Sequence, residues 1–376
     1  MLPACLPVQE LWDRIIDQLY HTPKDAHSCS LVCRSFVEPS QSLIFRDFFI
    51  ARFGSSPTRL ADIFTLSPHL IRHARTLVLG DCDVNYVAPI VTIPWSSLRR
   101  LELCGMSRSS PALEEIYTLV ELPSLRHLVF DGRRWTANQI LAILSHCTPT
   151  LHRIEFRGCH PQPAALASVS SLPPTHRRPV IRHLALHDSS SVSQILADPG
   201  FPLDMSGLAY LQSDWPMLSA PLLQVLLPAY RTLQTLEFQH TSTSCDFVDL
   251  TLFPALCHIK LGDFWVPLAD GEPHPHIQMI SRLPAQNAIH TISLWLFLEA
   301  YASMQWETVD ALARDLRALH DALLSDKMPT LRCVEVEVAS GSALRTLGLE
   351  KADWQRLIVT AMPTLHQRGI LSINPP

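Results

Sequence analysis

The sequence contains the stretch Leu98-Arg-Arg-Leu101-Glu-Leu103, and the same spacing of apolar residues returns at Leu125-Arg-His-Leu128-Val-Phe130. Each copy has an apolar residue, two variable residues and then an apolar-x-apolar triplet. Side chains of a β-strand alternate between two faces, so the outer residues of a triplet share one face and the middle residue takes the other. The pattern predicts short strands that bury two side chains and turn one to solvent.

The triplet recurs from Ala74 nearly to the end of the sequence, with a degenerate copy at Leu208-Ala-Tyr-Leu211. The clear triplets begin at Leu77, Leu101, Leu128, Ile154, Leu184, Leu236, Ile259, Ile292 and Val334. The first intervals, 24, 27 and 26 residues, fall in the range of roughly 20 to 29 residues typical of leucine-rich repeats. Helix-like stretches lie between the triplets, and a proline often ends them.

The region of residues 60–374 resembles a divergent, irregular leucine-rich-repeat domain. The resemblance implies an α/β solenoid with parallel strands and with helices on the convex side. The segment Arg59 to His73 is expected to cap the first repeat, and Leu365 to Ile373 to supply a final strand. Two interruptions, Ser170 to Val180 and Trp265 to Ala288, are expected to form surface loops available for partner contacts.

The first fifty residues have a different pattern. Apolar residues at helical spacing from Val8 to Tyr20 predict an amphipathic helix, which Pro23 follows. A second helix is predicted through Cys29 and Phe36 and is expected to break at Pro39, and a third is expected to start at Leu43. Three helices of this size cannot bury their apolar faces alone, so they need the following domain or a partner.

Motifs in this region resemble those of a known family. Leu6-Pro7, Glu10-Leu11 and Ile15-Ile16 precede the block Cys29-Ser-Leu-Val-Cys-Arg-Ser-Phe36, and Phe45-Arg46 follows it. Together, residues 5–48 resemble an F-box. The sequence departs from that family at Ala26, where a leucine is common, and at Phe36, where tryptophan is frequent.

The resemblance implies docking on the Skp adaptor of a cullin-RING (SCF-type) ubiquitin ligase, and through it on a cullin. The residues implied to carry this contact are Leu6, Pro7, Leu11, Ile15, Ile16, Leu19, Leu31, Val32 and Cys33. The alternative is that these residues only pack the helices onto the solenoid. The chain would then be an interaction scaffold without any ligase.

Composition argues against several other classes of partner. A net charge of −5 and a pI near 6.4 give no basic footprint for nucleic acid or an anionic membrane. No apolar stretch is long enough to span a bilayer. Ten cysteines without a Cys-x-x-Cys pair indicate reduced thiols. We therefore expect a cytoplasmic or nuclear protein with protein partners.

The sequence lacks recognisable catalytic motifs. It has 12 glycines and neither a phosphate-binding loop nor a Gly-x-Ser-x-Gly elbow. Cys29 with Cys33, and His274 with His276, lack further ligands at metal-site spacing, so we expect no metal and no cofactor. The two histidines are expected to lie in a solvated loop. A third, more distant interpretation is an enzyme whose site is assembled from solenoid loops.

These observations predict three regions, namely a helical module at 1–50, a linker and cap at 51–73, and the solenoid at 74–376. The predicted function is that of a non-catalytic substrate-recognition subunit, whose solenoid binds a target protein that the sequence does not identify. The middle residues of the triplets are expected to face that target. The charged residues among them are Glu102, Glu155, Glu237, Lys260 and Glu335.

Overall fold

The computed structural model describes residues 8–51, 57–80, 84–105, 113–161, 178–189, 191–198, 200–213, 220–239, 250–262, 275–285, 287–297, 307–339 and 351–374. The chain divides into two compact units. Unit 1 contains Met1–Val180 and Pro199–Leu203, and unit 2 contains Ile181–Asp198 and Asp204–Pro376. Both units are built from parallel strands and helices.

The strands of unit 1 are β1 (Asp47–Ala51), β2 (Thr76–Gly80), β3 (Arg100–Cys104), β4 (His127–Asp131) and β5 (Arg153–Arg157). Those of unit 2 are β6 (His183–His187), β7 (Tyr210–Ser213), β8 (Thr235–Phe238), β9 (His258–Leu261), β10 (Thr291–Phe297), β11 (Cys333–Ala339) and β12 (Leu371–Asn374). Within each unit every strand pairs in parallel with the next along the chain.

Three helices precede the first strand, and others lie between later strands. Unit 1 contains α1 (Val8–Asp17), α2 (Pro23–Ser30), α3 (Arg34–Ile44), α4 (Pro57–Leu66), α5 (Val84–Val91), α6 (Leu113–Val120) and α7 (Ala137–Ser145). Unit 2 contains α8 (Val192–Leu196), α9 (Ala220–Leu226), α10 (Pro275–Ser281), α11 (Glu307–Leu323), α12 (Lys351–Ala361) and α13 (Pro363–Gln367). Short 3-10 turns lie at Gln18–His21, Pro68–His73, Leu227–Ala229 and Leu250–Leu252.

The outer residues of the triplets form the core, as the alternation predicts. In unit 1 the register places Leu77 beside Leu101, Leu128 and Ile154, and all four side chains are fully buried. Phe130 and Phe156 stack on the next inward row, with ring centroids 5.3 Å apart. In unit 2 the equivalent row contains Leu184, Leu211, Leu236, Ile259, Ile292 and Val334.

Successive repeats are also joined by backbone hydrogen bonds just before each strand. The carbonyl of Arg75 accepts from the N–H groups of Arg99 and Arg100 at 2.8 and 2.9 Å. The carbonyl of Arg99 accepts in the same way from Arg126 and His127, both at 2.9 Å. This shared-carbonyl ladder connects each repeat to its immediate neighbour.

The parallel register, strand order and intervening helices form an α/β repeat architecture consistent with a leucine-rich-repeat solenoid. Strand β7 occupies the degenerate copy. Strand β12 begins inside the segment predicted as a final strand and ends at Asn374, whereas the first residues of that segment belong to α13. The buried thiol of Cys159 donates to the carbonyl of Phe130 in the preceding repeat at 3.4 Å. Its counterpart Cys82 lies outside the described residues.

The N-terminal helices differ from the prediction in where they break. The chain leaves helical hydrogen bonding at residues 31–33 and then continues through Pro39 inside α3. Proline has no N–H to offer the carbonyl four residues earlier, which is that of Ser35. The side-chain amide of Gln9 in α1 donates to this carbonyl at 3.1 Å. A tertiary contact thus satisfies the group that Pro39 leaves free.

The prediction that a third helix starts at Leu43 is wrong. Helix α3 ends at Ile44, and Asp47–Ala51 form β1, which pairs with β2 ahead of the predicted start of the repeats. Phe48 of β1 meets Phe64 and Trp95 edge-on, with ring centroids 5.3 and 6.2 Å apart. This aromatic cluster packs the first strand onto α4 and the loop before β3.

Candidate functional site

Helix α1 and the turn between α2 and α3 present large apolar side chains to solvent. We call Leu11, Ile15, Leu31 and Val32 the module's apolar surface, because their exposed fractions are 47, 53, 76 and 70%. The backbone of the turn is satisfied internally, since Leu31 N–H donates to Ser28 and Val32 N–H to Cys29, both at 3.1 Å. The two side chains therefore project from a turn whose amides need no partner.

The other residues implied in docking differ in their exposure to solvent. Cys33 is exposed and Leu19 is half-buried. Ile16 is only 1% exposed, so its side chain lies inside the module and departs from the expectation of a surface contact. Leu6 and Pro7 lie outside the described residues.

The helices of the module pack on one another beneath this surface. Both α1 and α2 contact α3, and Trp12 of α1 meets Phe36 of α3 with ring centroids 5.1 Å apart. Phe36 therefore holds α1 against α3. Helix α1 therefore contacts α3 through Trp12 and presents Leu11 and Ile15 to solvent.

A charge network covers the outer face of β3 to β5 in unit 1. Glu155 lies at its centre with its side chain only 3% exposed. Its Oε1 accepts from Arg153 Nε at 2.9 Å, and its Oε2 accepts from Arg157 at 2.6 Å. Arg100 lies 3.8 Å from the same carboxylate. His127 Nε2 lies 3.1 Å from Oε1.

Protonation of this network follows from its geometry. Burial alone would raise the pKa of Glu155, but the neighbouring His127 and Arg153 outweigh it and hold that pKa well below the usual carboxyl range. Burial lowers the pKa of His127, and Arg100 lowers it further. A neutral ring can accept from Arg100 at Nδ1, 3.2 Å away, with its proton on Nε2 toward Glu155.

Glu102 and Glu155 are therefore engaged within the protein rather than free to meet a target. Glu102 accepts from Arg100 at 3.0 Å and lies 3.5 Å from Arg157. The middle residue Val129 is fully buried beneath these side chains. The expectation that every middle residue faces solvent is wrong here, because long flanking arginines cover the face.

A group of potential metal ligands adjoins this network. Glu102, Cys104 and Asp131 bring one ligand atom each within 4.8 Å of one another. Burial, assisted by Glu102, raises the pKa of Cys104 to about 12. The thiol is thus protonated at neutral pH and donates to Glu102 Oε1 at 3.6 Å. The arrangement is an internal hydrogen bond.

The corresponding face of unit 2 has a second polar network around Glu237. Tyr210 and Gln212 both donate to its carboxylate, and Lys260 Nζ lies 3.5 Å away. Glu237 is itself nearly buried. Like Glu155, this predicted target-facing residue is committed to contacts inside the protein.

The face is more open toward β10, β11 and β12. A groove of about 240 Å³ lies there, and we call it the Trp295 groove. Its principal polar and aromatic lining residues are Glu237, Lys260, Ser293, Trp295, Glu335 and Glu337. Trp295 is 43% exposed, and the register places it beside Glu337. Sequence reasoning identified Glu335 and missed Trp295 and Glu337.

The positions of Trp295 and Glu337 on this face could have been predicted from the sequence. Both lie two positions after a recognised middle residue, Ser293 or Glu335, and therefore on the same face of a strand that continues beyond the triplet. Strands β10 and β11 each contain seven residues, whereas the triplet pattern alone defines only three.

The predicted partner loops are only partly covered by the structure. Residues 170–177 and 263–274, including His274, lie outside the described residues. His276 was expected in a solvated loop, but it lies within α10 and is only 1% exposed. Its Nε2 lies 3.2 Å from the carbonyl oxygen of Gly262, which is a core contact rather than a solvated loop position.

Comparisons with known proteins add little to this description. No protein-family model and no curated protein matches the chain significantly. A leucine-rich repeat-containing protein, LegL7 from Legionella pneumophila, is a solved structure that matches over 84% of this chain and 98% of that chain. The two are 15% identical, and the TM-score is 0.45. The description of the fold rests on this chain's own strand order and register.

None of the helices in the described ranges is both long and apolar enough to cross a bilayer.

Proposed function

We propose that this chain is a non-catalytic substrate-recognition subunit of an SCF-type ubiquitin ligase. Its N-terminal helices would dock on the Skp adaptor, and its repeat units would hold a target protein. The observation that carries the proposal is the module's apolar surface. Each of its four large apolar side chains is exposed, and all four belong to the segment whose motifs resemble an F-box.

Exposed apolar side chains of this kind favour an interface over an internal packing role. Fully burying a Leu, Ile or Val side chain contributes about 1.5 to 3 kcal/mol, and these four retain much of their area for a partner. Had they only packed the module onto the repeats, Leu11 and Ile15 would be buried in the folded chain. They are about half exposed.

The mechanism would be positional. A subunit that binds a target with one region and the ligase with another raises the effective concentration of target lysines near the conjugating enzyme. The described residues need perform no bond chemistry for this role. Of the target-binding residues predicted from the sequence, Glu335 is the best placed for a target, because the charges of Glu102, Glu155, Glu237 and Lys260 are engaged within the protein.

A pull-down with purified Skp adaptor tests the docking role. The full chain should retain the adaptor, and the double variant Leu11→Asp, Ile15→Asp should not. Leu66→Asp is the matched control, because Leu66 in α4 is 83% exposed and lies outside the module. If the folded full chain fails to bind, or the double variant binds as well as Leu66→Asp, the ligase role is refuted and the scaffold alternative is preferred.

A further inference from the structure

We propose that the Trp295 groove binds a basic side chain, preferably arginine, from the protein that the repeats engage. The inference deepens the proposed function and rests on it, because it names the chemistry of the target segment. Three features of the groove support it: a surplus of negative charge, a carboxylate held in position, and an exposed indole.

The negative charge is not balanced within the groove. Among the described lining residues, Glu237, Glu335 and Glu337 contribute three carboxylates, whereas Lys260 contributes the one ammonium group. Lys260 Nζ lies 3.5 Å from Glu237 and 5.6 Å from the ring centroid of Tyr210, so its charge is already engaged. Among the residues whose side chains are described, no lysine, arginine or histidine pairs with Glu335 or Glu337.

Glu335 is oriented before any partner arrives. Ser293 Oγ donates to Glu335 Oε2 at 2.7 Å, and His258 Nε2 lies 2.8 Å from the same Oγ. Because Ser293 gives its proton to Glu335, it accepts from His258, whose pKa is lowered first by burial and then by Lys260. Glu335 Oε1 has no hydrogen bond to a described residue and can accept from a ligand.

Trp295 supplies an apolar wall beside these acceptors. Trp295 and Glu337 are register partners on adjacent strands, whose separation is about 4.8 Å. A cation over an indole face gains attraction from the ring quadrupole. Guanidinium is planar, stacks on aromatic rings and donates several N–H bonds to carboxylates at once, so arginine fits this combination better than lysine.

The size of the groove also limits the occupant. Its volume of about 240 Å³ is below the roughly 300 to 1,000 Å³ of pockets that enclose small-molecule ligands. One long side chain suits that space, while the peptide that carries it would lie along the open strand face. The remaining contacts of the target segment would then come from outside the groove.

A fluorine NMR titration of the full chain tests the inference without a known target. The chain would be labelled with 5-fluorotryptophan, and Trp295→Phe would identify the Trp295 resonance. The probe is N-acetyl-arginine-methylamide, and the control is the citrulline analogue, which has nearly the same shape and no charge. We expect a saturable shift of the Trp295 resonance with the arginine probe and little with citrulline.

Variants then assign the binding to the carboxylates. Glu335→Gln with Glu337→Gln should weaken binding of the arginine probe on the order of tenfold, from the values typical of two exposed ion pairs. Glu121→Gln, an exposed position of unit 1, should change nothing. A missing shift, an equal response to citrulline, or unchanged affinity in the double variant would overturn the inference. The adaptor pull-down tests only docking by the helical module. Failure of the proposed function and failure of arginine binding in the groove can therefore be told apart.

Discussion

Replacing Glu155 by alanine is expected to destabilise unit 1 strongly, although Glu155 lies at a position that the repeat pattern assigns to solvent. Removing one partner of a buried ion pair typically costs about 3 to 5 kcal/mol, because the remaining charge is left uncompensated. Here the remaining arginines are partly hydrated, since Arg100, Arg153 and Arg157 retain 28, 39 and 36% side-chain exposure. We therefore expect the lower end, about 3 kcal/mol.

Scanning calorimetry with circular dichroism can measure this change. For a unit of this size, 1 kcal/mol corresponds to about 2 to 4 °C in Tm, so the transition assigned to unit 1 should fall by about 6 to 12 °C. The control is Glu121→Ala, whose carboxylate lies 2.9 Å from His146 in an exposed pair. Exposed pairs contribute about 0 to 1 kcal/mol. Similar effects for both variants would refute our account of Glu155.

The pH dependence provides an independent test of the same network. The pKa of Glu155 is held below its ordinary value in the folded chain, so the folded state binds its proton less readily than the unfolded state. The stabilisation is fully present above the ordinary carboxyl pKa and is lost as pH falls through the folded pKa. The stability difference between the unmodified chain and Glu155→Gln should therefore narrow between pH 7 and pH 3. A constant difference would contradict this assignment.

Three further predictions concern other parts of the chain. Leu31→Asp with Val32→Asp should abolish adaptor binding while changing stability by no more than about 0.5 kcal/mol, as is usual for exposed positions; thermal unfolding would expose any larger loss. Thr136→Ala removes the hydrogen bond that the Thr136 hydroxyl accepts from the backbone N–H of Gln139 in the capping box at α7 and should cost about 1 kcal/mol, measured by denaturant unfolding. Under native conditions iodoacetamide should label exposed Cys33 well before buried Cys159, whose pKa is raised to about 12 by burial; mass spectrometry of the labelled peptides would reveal the opposite order.

The sequence was sufficient to predict the strands because the alternation within each triplet is local. Leu101 and Leu103 must share a face in any extended backbone, and only a buried sheet accounts for nine such copies. The lengths of β10 and β11 were not predictable in the same way. Their extension to Trp295 and Glu337 depends on pairing with neighbouring strands, which the triplet pattern does not encode.

Two errors have a common physical cause, which is a contact between residues far apart in sequence. Pro39 was expected to end a helix, but Gln9 satisfies the carbonyl of Ser35 that the proline leaves free. Glu155 was expected to face solvent, but Arg100 of β3 and His127 of β4 join the two arginines of its own strand around it. The Arg-x-Glu-x-Arg spacing of β5 was a local hint, since residues two apart share a face.

The shared-carbonyl ladder of unit 1 has a consequence for how the repeats open. Arg75, Arg99 and Arg126 each offer one carbonyl to two amides of the following repeat, so the ladder couples nearest neighbours and nothing more distant. Local fluctuations in such an array start where a repeat has a partner on only one side and propagate inward. Deuterium should accordingly enter the amides of the outer repeats first, and the amides of β3 and β4 should be among the slowest in unit 1 to exchange.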